Sequence, residues 1–260
     1  FSSRNYLKQQ NFLTQVAIEK YVEPLSSIAW LLEKPYEGTF LRYAWKHLLS
    51  NHPHDSIGGC SIDDVHRDML HRFAAVRQIA KILSEESARF ITKRINTQKE
   101  GAKVAIVVFN PQSWRVTDVA NVHLEFPNPS NRQIHNFVVR DKNGKIVASQ
   151  LKEVCTDKYT YPDNQQLWGA TLSILAEDVS PLGYKTYYIE ETEDDKRVFS
   201  PLETTEMTLE NTFLKVEVQQ NGSLNITDKR SGHTFKNCNL FEDTEDVGDE
   251  YNYSPAMHPH

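Results

Sequence analysis

Five of the ten histidines in this 260-residue sequence fall between positions 47 and 71. The densest run is Asn51-His52-Pro53-His54-Asp55-Ser56-Ile57-Gly58-Gly59. Neutral imidazole and carboxylate are both good donors to zinc-like divalent ions, so the chemistry these residues suggest first is metal binding. Pro53 and the glycine pair oppose helix propagation, which puts the imidazoles and the Asp55 carboxylate on a bend. A helix starting just beyond such a bend offers free backbone N–H groups and a partial positive charge. These suit the orientation of a carboxylate or a hydroxyl-rich ligand. The same residues also make an ordinary polar loop, with Asp55 or Ser56 capping and the histidines in water. Spacing limits the metal reading: His52 and His54 cannot both meet one ion along with Asp55 without a strained bend. The neighbouring helices offer no second His/Asp/Cys cluster, so a complete coordination shell needs donors from elsewhere. His47, His66 and His71 read as structural, and the last two, five residues apart on one helix, do not share a face.

Other constellations are less specific. No G-x-S-x-G, C-x-x-C, P-loop or G-x-G-x-x-G pattern occurs. Glu85 and Glu86 read as a solvated helix face. Six carboxylates lie between 242 and 250 in a spacing unlike an EF-hand, as expected of an acidic surface loop. Tyr251 and Tyr253 flank it with groups that hydrogen-bond and stack on sugars. Tyr159, Tyr161 and Trp168 offer the same chemistry, although aromatic residues on strands more commonly belong to a core.

The elements that must carry these residues differ between the two parts of the chain. Only three of 11 prolines and three of ten glycines occur in the first 100 residues, which favours helices there and short strands later. A first helix is expected over about 5–32, kinked or split at Pro24, and a second over about 39–50. Between Gly59 and Gly101 there is neither glycine nor proline, and Ile62, Val65, Met69, Phe73, Val76, Ala80, Leu83 and Phe90 recur at helical steps. Residues 61–95 therefore read as a helix about 50 Å long, with Ser61 and Asp64 as a capping-box-like start. The candidate loop joins helices two and three of an antiparallel three-helix bundle spanning 1–100. Beyond about residue 101, strands are expected at 104–109, 119–126, 137–140, 146–151, 167–175, 184–190, 213–219 and 223–227. Hairpin turns are expected at Asp141–Gly144 and Gln220–Gly222. Their spacing predicts an antiparallel β-sandwich over 101–260, giving an α+β fold.

Composition bounds the partners. The net charge of −6 without a long basic run argues against nucleic acid and anionic membrane surfaces. No apolar run approaches a membrane span. Three widely spaced cysteines do not make a disulfide framework and favour a reducing, cytoplasmic setting. The opening Phe1-Ser2-Ser3-Arg4 has no initiator Met and no signal-peptide core, so the chain is expected to begin partway through a longer protein.

The Asn51–Gly59 segment resembles the His-His-Asp-Ala-(Ile/Val)-Thr-Gly-Thr loop of glycoside hydrolase family 38, the α-mannosidases, and the bacterial branch is the closest in pattern. The resemblance continues in order along the chain. It runs through Ser2–Lys8, Glu23-Pro24-Leu25, Ala29-Trp30, Val108–Trp114, Gly183–Tyr187, Glu210–Phe213, Asn221–Leu224 and Gly248–Pro255. It implies that His54 ligates a divalent ion, zinc in type, that Asp55 holds sugar hydroxyls, and that Tyr251 reaches the sugar from the β region. No role passes to His52, which the inserted Pro53 separates from the pair. Ser-Ile-Gly-Gly-Cys replaces Ala-Ile-Thr-Gly-Thr, a departure that leaves the metal position intact and bears on sugar specificity. The resemblance further implies retaining hydrolysis of an α-mannoside. The nucleophile, the other metal donors and the acid/base group would lie in an N-terminal α/β domain upstream of Phe1, and these 260 residues alone would be inactive. Hydrolysis of mannosylglycerate or its phosphorylated form is the alternative within the family. A non-catalytic carbohydrate-binding or scaffold fragment is the alternative outside it, and a homo-oligomer is compatible with either.

Overall fold

A computed structural model describes residues 3–102, 104–127, 136–164, 166–192, 202–242, 245–249 and 252–256. The helical part opens with one rod of three segments: α1 (Asn5–Val16), a π-helical stretch (Ala17–Val22) and α2 (Glu23–Leu31). Pro24 sits in the first turn of α2 and cannot donate to the carbonyl four residues back. The wider winding immediately before it accommodates that loss, so the expected kink takes the form of a π segment. There follow α3 (Gly38–Leu49), the short α4 (His54–Gly58) and the 30-residue α5 (Asp63–Thr92). The reading of three helices is thus corrected on two counts: the first rod is compound, and the loop contains a helical turn of its own. The capping box at Ser61 does not form. Ile62 is the N-cap of α5, with no side-chain cap bond, and Asp63 and Asp64 lie in its first turn.

These helices close on a core of Leu7, Ile18, Val22, Leu41, Ala44, Leu48, Met69, Phe73, Val76, Ala80 and Leu83. On α5 the buried residues are His66, Met69, Phe73, Val76, Ala80, Leu83, Ser87 and Ile91, one face at three- and four-residue steps. The Trp45 indole N–H donates to Glu23 Oε1 at 2.6 Å, tying α3 to α2. A smaller cluster of Leu25, Ala29 and Ile91 packs with Phe109, linking the far end of the helices to the first strand.

Among the described residues the β part has 12 strands in three antiparallel sheets, where the sequence suggests one sandwich. The first sheet orders β1 (Val104–Asn110), β7 (Gly183–Thr192), β3 (Asn136–Asp141) and β4 (Ile146–Val147). The second orders β2 (Val116–Pro127), β6 (Gln166–Val179) and β5 (Ser149–Tyr159). Their inward residues share one core, with Ile106, Phe137, Val139, Tyr187 and Ile189 meeting Leu124, Ala170, Leu172, Ile174 and Val179. The third is a five-stranded meander running β12 (His233–Cys238), β11 (Leu224–Asp228), β10 (Leu214–Val218), β9 (Thr208–Glu210) and β8 (Glu203–Thr204). The two expected hairpin turns join β3 to β4 and β10 to β11, with Gly144 at φ 87° and Gly222 at φ 81°. Among the described residues no helix is long and apolar enough to cross a membrane.

Candidate metal and sugar site

The loop between α3 and α5 is held from beneath before it presents anything to solvent. Asn51, fully buried, donates its amide to the Met69 carbonyl at 3.1 Å and accepts from Arg72 Nη1 at 3.1 Å. It therefore pins the end of α3 to α5. His52 Nε2 lies 2.7 Å from Asn11 Oδ1, so this ring is engaged with α1. Pro53, at φ −48° and ψ 140°, turns the chain and caps α4. The Pro53 carbonyl accepts from the Ser56 and Ile57 amides at 2.9 and 3.0 Å, closing the helical turn that carries His54 and Asp55.

The other end of the turn is clamped by the start of the chain. Lys8 donates to the carbonyls of Ser3 and of Gly58, the latter at 2.9 Å. Arg4 donates to the Gly59 carbonyl and, at 2.8 Å, to Asp63. Burial, aided by the Arg4 charge, lowers the Lys8 pKa, while the Arg4 hydrogen bond holds the Asp63 carboxyl below its usual range. Gly59 stands at φ +86°, and a Cβ there would lie 2.8 Å from the Ser3 carbonyl oxygen. Gly59→Ala is therefore expected to destabilise the fold by about 1–3 kcal/mol, through left-handed backbone strain and displacement of the Ser3 segment. A fall in chemical-denaturation midpoint at unchanged slope would show it, and an unchanged midpoint would contradict the clamp.

What the turn presents is an imidazole and a carboxylate side by side. His54 Nε2 is 3.2 Å from Asp55 Oδ1, and the two side chains are 94% and 62% exposed. An exposed imidazole beside a carboxylate fits one corner of a metal site. Among the described residues no group of three or more His, Cys, Asp or Glu converges as a metal cage. The pair is thus a solvent-facing imidazole and carboxylate, short of the four donors that a closed zinc-type shell needs. His52 is engaged with Asn11 on α1.

The remaining sequence candidates separate clearly. His47 packs edge-on against Tyr43 at 4.3 Å between ring centroids, and His71 is exposed. Tyr159 and Tyr161 are exposed at 57% and 98%, not core, and the Trp168 side chain lies outside the described residues. Tyr251 also lies outside them. On either side of it in sequence, Asp246 Oδ1 accepts the Gly248 and Ser254 amides at 2.9 and 3.1 Å. Cys60 and Cys238 are free thiols, and Cys60 Sγ lies 3.7 Å from Asp55 Oδ1.

The residue not foreseen is His66, expected to be structural but found with an unmet polar need. It is 2% exposed, and neither ring nitrogen has a hydrogen-bond partner. Burial lowers its pKa, as does the Arg4 guanidinium; the Asp63 charge and the Asp55 main chain oppose this, and Lys8 adds to the lowering. A signal was present in the sequence. Running the Met69–Phe73 row back by three residues lands on His66, whereas Ile62, placed in the stripe instead, is 68% exposed.

Comparison with known proteins bears on the family of the chain. Residues 1–91 match the alpha mannosidase middle domain. A putative mannosylglycerate hydrolase of Halalkalibacterium halodurans is 30% identical over 288 aligned residues, covering 98% of this chain and 31% of that protein. A solved glycosyl hydrolase family 38 protein from Enterococcus faecalis superposes with a TM-score of 0.86 at 32% identity, over 99% of this chain and 33% of the other. An alpha-mannosidase from Enterococcus faecalis V583 gives 0.84 at 32% identity, over 99% and 32%. The chain thus spans about a third of the length of the relatives it matches.

Proposed function

The chain belongs to glycoside hydrolase family 38, and from that premise we propose that it forms the middle helical and first β portion of a retaining, metal-dependent α-mannosidase. The observation that carries this reading is the His54–Asp55 pair, set on a turn that is rigidly held from beneath and open to solvent above. Retaining hydrolysis uses two carboxyl groups, one attacking the anomeric carbon and one serving as acid and then base. Both are assigned to the longer protein outside these residues.

Within this chain His54 is the candidate metal donor. A divalent ion, zinc by donor type, would supply Lewis-acid binding of sugar hydroxyls as charge develops on the ring. Asp55 accepts hydrogen bonds from those hydroxyls and holds the sugar in register. Asn51 and the Lys8 and Arg4 contacts keep both side chains on a fixed turn, so little ordering is left to occur at the moment of binding. Tyr251 is proposed to approach the sugar from the β region.

Hydrolysis of mannosylglycerate is the second reading, favoured by the name of the Halalkalibacterium halodurans relative. The test is to assay the complete protein on an aryl α-mannoside and on mannosylglycerate, before and after chelation and with zinc restored. Turnover of either, lost on chelation and regained with metal, is expected. Metal-independent glycan binding with no turnover would favour a non-catalytic module. The 260-residue chain alone is expected to give no turnover, and measurable hydrolysis by it would overturn the assignment of the reacting carboxyls elsewhere.

A further inference from the structure

His66 is the one buried side chain among the described residues whose polar atoms have no hydrogen bond. It stands in the first turn of α5, in one row with Met69 and Phe73, so its ring is fixed by the helical core. Four groups act on that ring: Arg4 and Lys8 from the start of the chain, Asp63 from its own helix, and the Asp55 main chain from the candidate turn. Burial and the two cations disfavour the charged imidazolium, and the neutral ring still has one N–H to give. The Asp55 carbonyl has capacity to receive it. That oxygen accepts the Ser61 amide at a long 3.2 Å and the Cys60 thiol at 3.8 Å, both weak hydrogen bonds.

We propose that His66 is a positioning residue for the His54–Asp55 turn: its ring N–H closes on the Asp55 carbonyl when sugar is bound, and so fixes the direction of the Asp55 carboxylate. The idea rests on the reading of Asp55 as the sugar clamp. The Asp55 main chain is near enough to act on the ring, yet neither ring nitrogen makes a well-formed hydrogen bond, as is common for hydrogen bonds that tighten only when the ligand arrives.

The test compares wild type, His66→Phe and the amide variants His66→Asn and His66→Gln in the complete protein. His66→Phe keeps the volume and removes the donor, whereas the amides restore an N–H at one or other ring-nitrogen position. Amide exchange across residues 54–61, read with the mannoside product α-mannose bound, should quicken about tenfold in His66→Phe while the rest of α5 is unchanged. On an aryl α-mannoside, kcat should fall roughly 10–100-fold with KM altered less than about threefold, and one amide variant should recover most of the loss. In an Asp55→Ala background His66→Phe should cost less than about twofold, because the residue acts through Asp55. Unchanged exchange in His66→Phe, an undiminished loss in the Asp55→Ala background, or failure of both amides to rescue would overturn the proposal. If His66→Phe does not fold, His66→Leu serves the same comparison. Absence of hydrolysis by wild type would remove the functional reading, whereas the exchange measurement would still decide the role of His66.

Discussion

Replacing His54 by alanine in the complete protein is expected to lower kcat/KM on an α-mannoside by about 10²–10³-fold, the range for removing one preorganised electrostatic group from a transition state. The loss should appear without loss of stability. The side chain is 94% exposed and lies 3.2 Å from the exposed Asp55 carboxylate, so truncation opens no cavity and strands no buried group. Metal content should fall together with activity, and added zinc should restore neither at concentrations that saturate the wild type. Activity within a few-fold of wild type would show that this imidazole is a bystander. An equal loss accompanied by a lowered melting temperature would point instead to a collapse of the turn.

Phe73→Ala should do the reverse. Phe73 is fully buried on α5, in the cluster that also contains Leu7, Ile18, Leu41 and Leu48. Removing its ring is expected to cost about 3–5 kcal/mol, from lost burial and the cavity left behind. That is a large fraction of the roughly 5–15 kcal/mol that holds a typical domain together. The variant should melt well below wild type in calorimetry, yet at low temperature the fraction that remains folded should bind metal normally, because Asn51, Lys8 and Arg4 still anchor the turn. A cost under about 1 kcal/mol would mean that the helices are held by something other than this cluster. Together the two substitutions separate what builds the site from what reacts in it.

Much of the scaffold is legible in the sequence because strong local signals agree with tertiary packing. The Gly- and Pro-free stretch gives α5 to within a few residues, and Val104–Phe109 before Asn110-Pro111 gives β1. What escapes is structure fixed by context. The α4 turn forms where composition suggests a plain loop, since Pro53 initiates a helix as readily as it ends one. Strand β12 has four exposed residues out of six and so lacks the alternation that would announce it. The run 146–151 breaks at Ala148 into strands of two different sheets, a division that depends on which sheet each half can join.

Of the candidate site, residue type and resemblance single out His54 and Asp55, which the structure sets side by side and exposed, while the inserted Pro53 is the reason that no role is carried to His52. The engagement of His52 with Asn11, and the clamp by which Lys8 and Arg4 reach Gly58, Gly59 and Asp63, link residues 41 to 59 positions apart. Such long-range pairings leave no local periodicity to read.

The most direct measurement is anomalous diffraction at the zinc edge from crystals of the complete protein. One ion per chain, about 2.0–2.1 Å from a ring nitrogen of His54, is the expected result. An ion bound elsewhere with the His54 ring facing solvent, or full metal occupancy in His54→Ala crystals, would contradict it.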